Sequence, residues 1–340
     1  MEKSRAKILS LDLLKIGYVS GKNKNLLLPP VSASALKGEL IAVIGRNGIG
    51  KSTLLRTITG LQSSLGGKII INGKNIKEYS RLQIAKSVGY ISTEAIKVSN
   101  MRVYDLVALG RFPHTNWLGK IDAANHNAIV DSIGKAGMAD FNNRFITELS
   151  DGERQRAMIA RVLAQDAGLM VMDEPTAFLD IRSKYEILHL LHELTRKRGK
   201  TVIFSTHDFQ TAISQADKIW LILDNQLIEG APEDLLLKGS FDHLFDSSLV
   251  RFDSKNGNFI LKKEERGQIF IDGNGNKKYW TEKAISRAGY SLSGVKMTPL
   301  IKVPSEEEDK WLLYSGNSVN EFESIYDLVG WLVNENNPTI

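Results

Sequence analysis

Apolar and polar positions along this chain follow two different periods. Short runs of aliphatic and β-branched residues recur at "ELIAVIG" (39–45), "KIIING" (68–73), "SVGYIS" (87–92), "GLMVMDEP" (168–175), "TVIFSTHD" (201–208) and "IWLILDNQLIEG" (219–230). Their lengths and bounding turn residues read as buried strands. Between them the period lengthens to that of a helix. Ile187, Leu188, Leu191 and Leu194 form one stripe, closed by the basic turn "RKRGK" with Gly199 as C-cap. This alternation predicts an α/β fold whose largely parallel sheet is covered by helices.

"DNQ" at 224–226 separates two apolar runs and predicts a hairpin near the end of this domain, and "APEDLLLKGSFDHLF" (231–245) a closing helix. From about Arg251 turn formers and charges dominate, so a boundary is placed there: 1–250, then 251–340. The second part is still patterned. "GQIFIDG", "TPLIKV" and "KWLLYSG" read as strands, and Ser324 with Asp327 as a capping pair ahead of an apolar face of Ile325, Leu328, Val329, Leu332 and Val333. It is expected to be a small α+β domain, with Trp280, Tyr290, Trp311 and Trp331 as its aromatic core.

Composition narrows the function classes. The 340 residues contain no cysteine, which removes disulfides, thiolate zinc sites and iron–sulfur clusters. No apolar run approaches the roughly 20 residues needed to span a bilayer, and the N-terminus shows no secretion signal. Any membrane role is expected through a partner, at the cytoplasmic face. The formal charge of +5 is spread among alternating lysines and acids, leaving no nucleic-acid footprint.

One segment carries chemistry. Gly45-Arg46-Asn47-Gly48-Ile49-Gly50-Lys51-Ser52 stands behind a strand and before the helix-like "TLLRTITG" that starts at Thr53. A triphosphate presents crowded anionic oxygens, so its cradle brings backbone N–H groups closer than a Cβ allows, and Gly45, Gly48 and Gly50 supply that room. The helix beginning near Lys51 adds its dipole and unpaired amides. Lys51 would reach the β- and γ-phosphates, and the Ser52 hydroxyl would ligate magnesium. The run "LMVM" delivers Asp173 and Glu174 to a sheet edge, Asp173 for the metal shell and Glu174 to orient or deprotonate water. Further helix chemistry lies in "LSDGERQRAMIARVLAQD" (149–166), where Ser150 is an N-cap and Asp151 and Glu153 favour the first turn.

Together these motifs resemble the ATP-binding cassette family over roughly residues 5 to 245. The resemblance implies a P-loop core with an antiparallel β subdomain and a helical subdomain. It implies that "LSDGE" is the signature, usually LSGGQ, which closes over the γ-phosphate of the opposite subunit; Ser150, Asp151, Gly152 and Glu153 are then nucleotide-facing. Tyr18 in "KIGYVSG" falls where the family stacks an aromatic on adenine, Asp180 in "AFLD" at the dimer seam, and His207 at the switch that touches the γ-phosphate. Asp151 and Glu153 depart from the usual glycine and glutamine. Thr93 stands where the family has a magnesium-touching glutamine, and Thr93 and Glu94 both remain open as its replacement.

The stretch "VYDLVALGRFPHTNWLGKI" (103–121) resembles importers for iron–siderophore complexes, haem and cobalamin. That resemblance implies an ATPase using ATP and magnesium, a homodimer on two integral-membrane permease subunits, and an associated substrate-binding protein. A soluble cassette acting on ribosomes, or an exporter or lipid-extraction motor, is the alternative. Residues 251–340 lie outside the resemblance and are assigned dimer stabilisation or effector sensing.

Overall fold

In the computed structural model of the chain, the apolar run behind the glycine-rich segment is the third strand of a six-stranded sheet. The structure describes residues 6–21, 23–92, 100–115, 119–244, 249–253, 257–261, 266–305 and 308–334. Its central elements in chain order are β1 (Leu40–Gly45), α1 (Lys51–Ile58), β2 (Val88–Ile91), α2 (Asp151–Ala164), β3 (Leu169–Met172), α3 (Ile181–Arg196), β4 (Thr201–Ser205), α4 (Phe209–Gln215), β5 (Lys218–Leu223) and β6 (Gln226–Gly230). The sheet runs β6-β5-β1-β4-β3-β2, with every pair parallel except the β5–β6 hairpin.

β1, β3 and β4 are buried at every position, because both faces of the sheet are covered. Alternate residues serve the two sides. Ile41 and Val43 pack with Leu54 and Ile58 of α1, whereas Ala42 and Ile44 join Ile159 of α2 and Leu191 of α3. An antiparallel sheet of Val31–Leu36, Lys7–Lys15, Gly66–Ile71 and Lys74–Asn75 closes the first side. Helices Val103–Ala108 and Ala123–Lys135 add their apolar faces to the second. The parallel core, antiparallel subdomain and helical subdomain expected from the sequence are all present.

The chain divides into two compact units, Met1–Asp246 with Phe252–Ile260, and Ser247–Arg251 with Leu261–Ile340. In the first unit two details differ from the sequence reading. The closing helix is split into α-helix Pro232–Leu237 and a 3₁₀ turn Ser240–Leu244, with Gly239 between them at φ 64°. Beyond 250, the strands Val250–Asp253 and Asn258–Leu261 send Phe252 and Phe259 back into the first unit's core, Phe252 stacked on Phe241 with ring centroids 5.1 Å apart.

In the second unit, a sheet ordered Tyr290–Leu292, Gly267–Asp272, Leu300–Lys302, Trp311–Ser315, Ser318–Phe322 packs with helices Gly275–Arg287 and Ile325–Val333. Ser324 caps the last helix, accepting from the Asp327 N–H at 3.1 Å. Tyr290 and Trp311 are buried, each with its polar atom satisfied: the Tyr290 hydroxyl donates to Leu332 O at 3.0 Å and the Trp311 indole N–H to Thr281 Oγ1 at 2.9 Å. Trp331 packs against that core. Trp280 does not. It lies on the outer side of its helix, 61% exposed, which corrects its assignment to the core. Among the described residues, no helix is long and apolar enough to cross a membrane.

Candidate nucleotide site

The glycine-rich loop joins β1 to α1 at the carboxyl edge of the parallel strands, where α/β sheets bind ligands. Gly50 is the N-cap of α1 at φ 110°, a conformation that L side chains rarely adopt. Among the described residues no side chain caps this helix end, and its first turn carries no acid, so nothing described offsets its amides and dipole. Gly45 is glycine for a second reason. A Cβ there would meet the Ile222 carbonyl oxygen of β5 at 2.7 Å, so the room it makes is taken by the neighbouring strand rather than by a ligand. Arg46, Asn47 and Gly48 are exposed; Ile49 is half-buried against the core below.

Lys51 folds over the loop, its ammonium donating to Gly45 O at 2.9 Å and Arg46 O at 3.2 Å. Burial holds its pKa below the usual lysine value, while Glu174 and Asp173 act in the opposite direction. A buried cation whose only described hydrogen-bond partners are loop carbonyls suits an incoming polyanion. Ser52 is exposed on the first turn of α1, whereas Thr53 is buried and shares a 2.8 Å hydrogen bond with the Tyr18 hydroxyl. That bond ties Tyr18, otherwise half-exposed, to the start of α1.

β3 delivers Asp173, 3% exposed, and then Glu174 at φ 48°. The Ser205 hydroxyl at the end of β4 donates to Asp173 Oδ1 at 2.7 Å and accepts the Glu174 N–H at 2.9 Å. His207, two residues on, places Nδ1 3.5 Å from Glu174 Oε2. Asp208 caps α4 through Thr211 and pairs with Lys184 of α3. Burial works against the charged Asp208, but the bonds from Lys184 and Thr211 prevail and hold its carboxyl below the usual range. Among the described residues Asp173 makes no ion pair, which leaves a buried carboxylate able to meet a cation. The Ser52 hydroxyl and the Asp173 carboxylate are oxygen donors, the kind of ligand magnesium takes.

The signature turn is built differently. Ser150 caps α2 in a reciprocal box: Glu153 Oε2 accepts from the Ser150 N–H at 2.8 Å and from its hydroxyl at 2.9 Å, while Ser150 Oγ accepts the Glu153 N–H at 3.3 Å. Asp151 is paired with Arg154 at 2.6 Å, so the carboxylate that departs from the usual signature is compensated locally. Gly152 is buried against Ser183, whose hydroxyl donates to Asp180 Oδ2 at 3.0 Å and whose N–H donates to Asp180 Oδ1 at 2.8 Å.

The structure therefore brings together Lys51, Asp173, Glu174 and His207 around the loop. It joins the signature and Asp180 into a second cluster through Ser183. No hydrogen bond or ion pair among the described residues links the two clusters. Thr93 and Glu94 lie outside the described residues. Ser205 and Ser183 were missed in the sequence, where the one available signal was the position of Ser205 at a strand end, two residues ahead of His207.

Comparison with known proteins gives this arrangement its family. Residues 28–177 match the ABC transporter family model, and residues 266–333 match the Iron ABC transporter C-terminal domain. An uncharacterized ABC transporter ATP-binding protein of Methanocaldococcus jannaschii is 32% identical over 267 residues, 78% of this chain and 91% of that protein. The chain belongs to the ABC transporter ATP-binding proteins. It is an ABC-type ATPase, and its nucleotide is ATP. A probable siderophore transport system ATP-binding protein of Bacillus subtilis is 32% identical over 77% of this cassette chain and 95% of its own length. The ferric enterobactin transport ATP-binding protein of Escherichia coli is 32% identical over 61% and 77%. Among solved structures, cbiO1 of Clostridium perfringens, part of the ABC transporter complex cbiONQ, superposes with a TM-score of 0.60 at 26% identity, covering 68% of this chain and 91% of that one.

Proposed function

We propose that this cassette is the motor of an importer for a ferric siderophore, working as a homodimer on two integral-membrane permease subunits that a substrate-binding protein supplies. The observation that carries the cargo is the pairing, in one chain, of a cassette similar to siderophore-transport ATPases with a C-terminal unit matching the Iron ABC transporter domain. The chain would sit peripherally at the cytoplasmic face of the membrane, held there by the permease.

In the site, Lys51 and the amides around Gly50 grip the phosphates, and the Tyr18 ring, fixed by Thr53, receives the adenine. Ser52 and Asp173 would hold magnesium, which neutralises phosphate charge when bound. Glu174 orients the water whose oxygen attacks the γ-phosphorus as the bond to the bridging oxygen breaks, giving ADP and inorganic phosphate. His207, beside Glu174, meets the same phosphate. Ser150 and Gly152 of the second copy complete the enclosure, and Asp180 lies at the seam.

Co-purification of the chain with its permease and reconstitution into vesicles tests the proposal. ATP-dependent uptake of a ferric hydroxamate or ferric catecholate chelate is expected. Hydrolysis without uptake of either would overturn the cargo, and Glu174→Gln should slow hydrolysis by roughly 10²- to 10⁴-fold while ATP binding persists.

A further inference from the structure

Glu174 stands in a left-handed conformation, φ 48°, that a β-carbon disfavours, so some neighbour must hold it there. Its backbone has two described contacts. Its carbonyl accepts the Ala177 N–H at 3.1 Å, and its N–H is accepted by Ser205 Oγ at 2.9 Å. The same Ser205 hydroxyl gives its single proton to Asp173 Oδ1 at 2.7 Å. Ser205 is fully buried and Asp173 nearly so, which excludes water as a ready substitute for either bond. One hydroxyl thus addresses both carboxylate residues, the side chain of the first and the main chain of the second, using its donor and an acceptor lone pair at once.

We propose that Ser205 is a positioning residue for ATP hydrolysis: it sets the direction of the Asp173 carboxylate and pins the strained turn that aims Glu174, and so links β4 to the carboxylates on β3. The proposal rests on the reading of Glu174 as the residue that orients water. It concerns reaction geometry and not nucleotide affinity, because Ser205 makes no described contact with the phosphate loop. With His207 only two residues further along, the end of β4 and the turn after it then contribute two groups to one reaction, Ser205 on the Asp173 carboxylate and the Glu174 N–H, and His207 beside the Glu174 carboxylate.

The test uses the full-length chain with magnesium and ATP, comparing Ser205→Ala, Ser205→Thr, Ser205→Val and Glu174→Gln with the parent. Thr and Val have nearly the same shape and differ in the hydroxyl, so they separate hydrogen bonding from packing. Loss of the hydroxyl in the Ala and Val variants should lower kcat by roughly 10- to 100-fold. The KM for ATP and the calorimetric affinity should stay within about twofold of the parent, the split expected for a group felt only in the reaction step. The Thr variant should recover turnover, and the Ala variant should accumulate an ATP-loaded dimer as Glu174→Gln does. Unchanged kcat in Ser205→Ala, or equally slow Thr and Val variants with matching losses in melting temperature, would overturn the proposal while leaving the cassette reading intact. Unchanged turnover in Glu174→Gln would instead sink the reading beneath it.

Discussion

Two helices of the first unit begin at glycine-bearing turns, and their first turns are opposites. α1 starts from a glycine cap with no side-chain acceptor and no acid, and a buried lysine lies across the loop ahead of it. α2 starts from Ser150 with both members of a capping box formed and two acids in its first turn. The first end leaves its amides for a foreign anion. The second is partly filled by its own side chains, since Glu153 Oε2 holds both the N–H and the hydroxyl of Ser150 and Ser150 Oγ takes the Glu153 N–H. A glycine-rich helix start is therefore not by itself a phosphate site; what matters is whether the chain fills it first. In the proposed sandwich, a phosphate arriving at Ser150 competes with Glu153 for the same two donors.

Substitutions can break each side of this contrast. The largest effect is expected from Lys51→Ala, which removes the buried cation from the open end and should weaken ATP binding about 100-fold by calorimetry. Retained affinity would mean that the amides alone suffice. Gly50→Ala should destabilise the fold by about 1–2 kcal/mol, the cost of a Cβ at that φ, read as a shifted denaturant midpoint. Ser150→Ala opens the closed end and should cost about 1 kcal/mol, with ATP affinity of the single subunit unchanged. The smallest effect belongs to Glu153→Gln, which keeps the capping box but discharges it. In a Glu174→Gln background it should tighten the ATP-dependent dimer about threefold by light scattering, whereas a weakened dimer would show that Glu153 assists phosphate rather than competing with it.

Much of the site was legible because its chemistry is contiguous. The glycine spacing, the lysine and the serine occupy one short loop, and "LMVM" announces the strand that ends in Asp173 and Glu174. Tyr18, Asp180 and His207 were reached only through family resemblance, since a lone aromatic, acid or histidine has no spacing to read. Ser205 and Ser183 escaped altogether. Ser205 finds Asp173 across a β-ladder, and Ser183 meets Gly152 across a helix contact, so neither of those meetings is marked along the chain; only the bonds of Ser183 to Asp180, the cap of its own helix, are local. Trp280 was misplaced because composition cannot distinguish the two sides of a helix whose apolar stripe is weak.

What the sequence alone determined is whatever depends on neighbours along the chain: the strand and helix periods, the phosphate loop, the caps at Ser150 and Ser324, and the absence of thiol chemistry. Tertiary structure decided which of those pieces meet. Parallel pairing of β4 between β1 and β3 puts Ser205 against the Asp173 carboxylate and the Glu174 main chain, and packing of Phe252 and Phe259 carries the first unit past residue 250. Hydrogen bonds and burial depend on distance in space, and a linear pattern records distance only along the backbone.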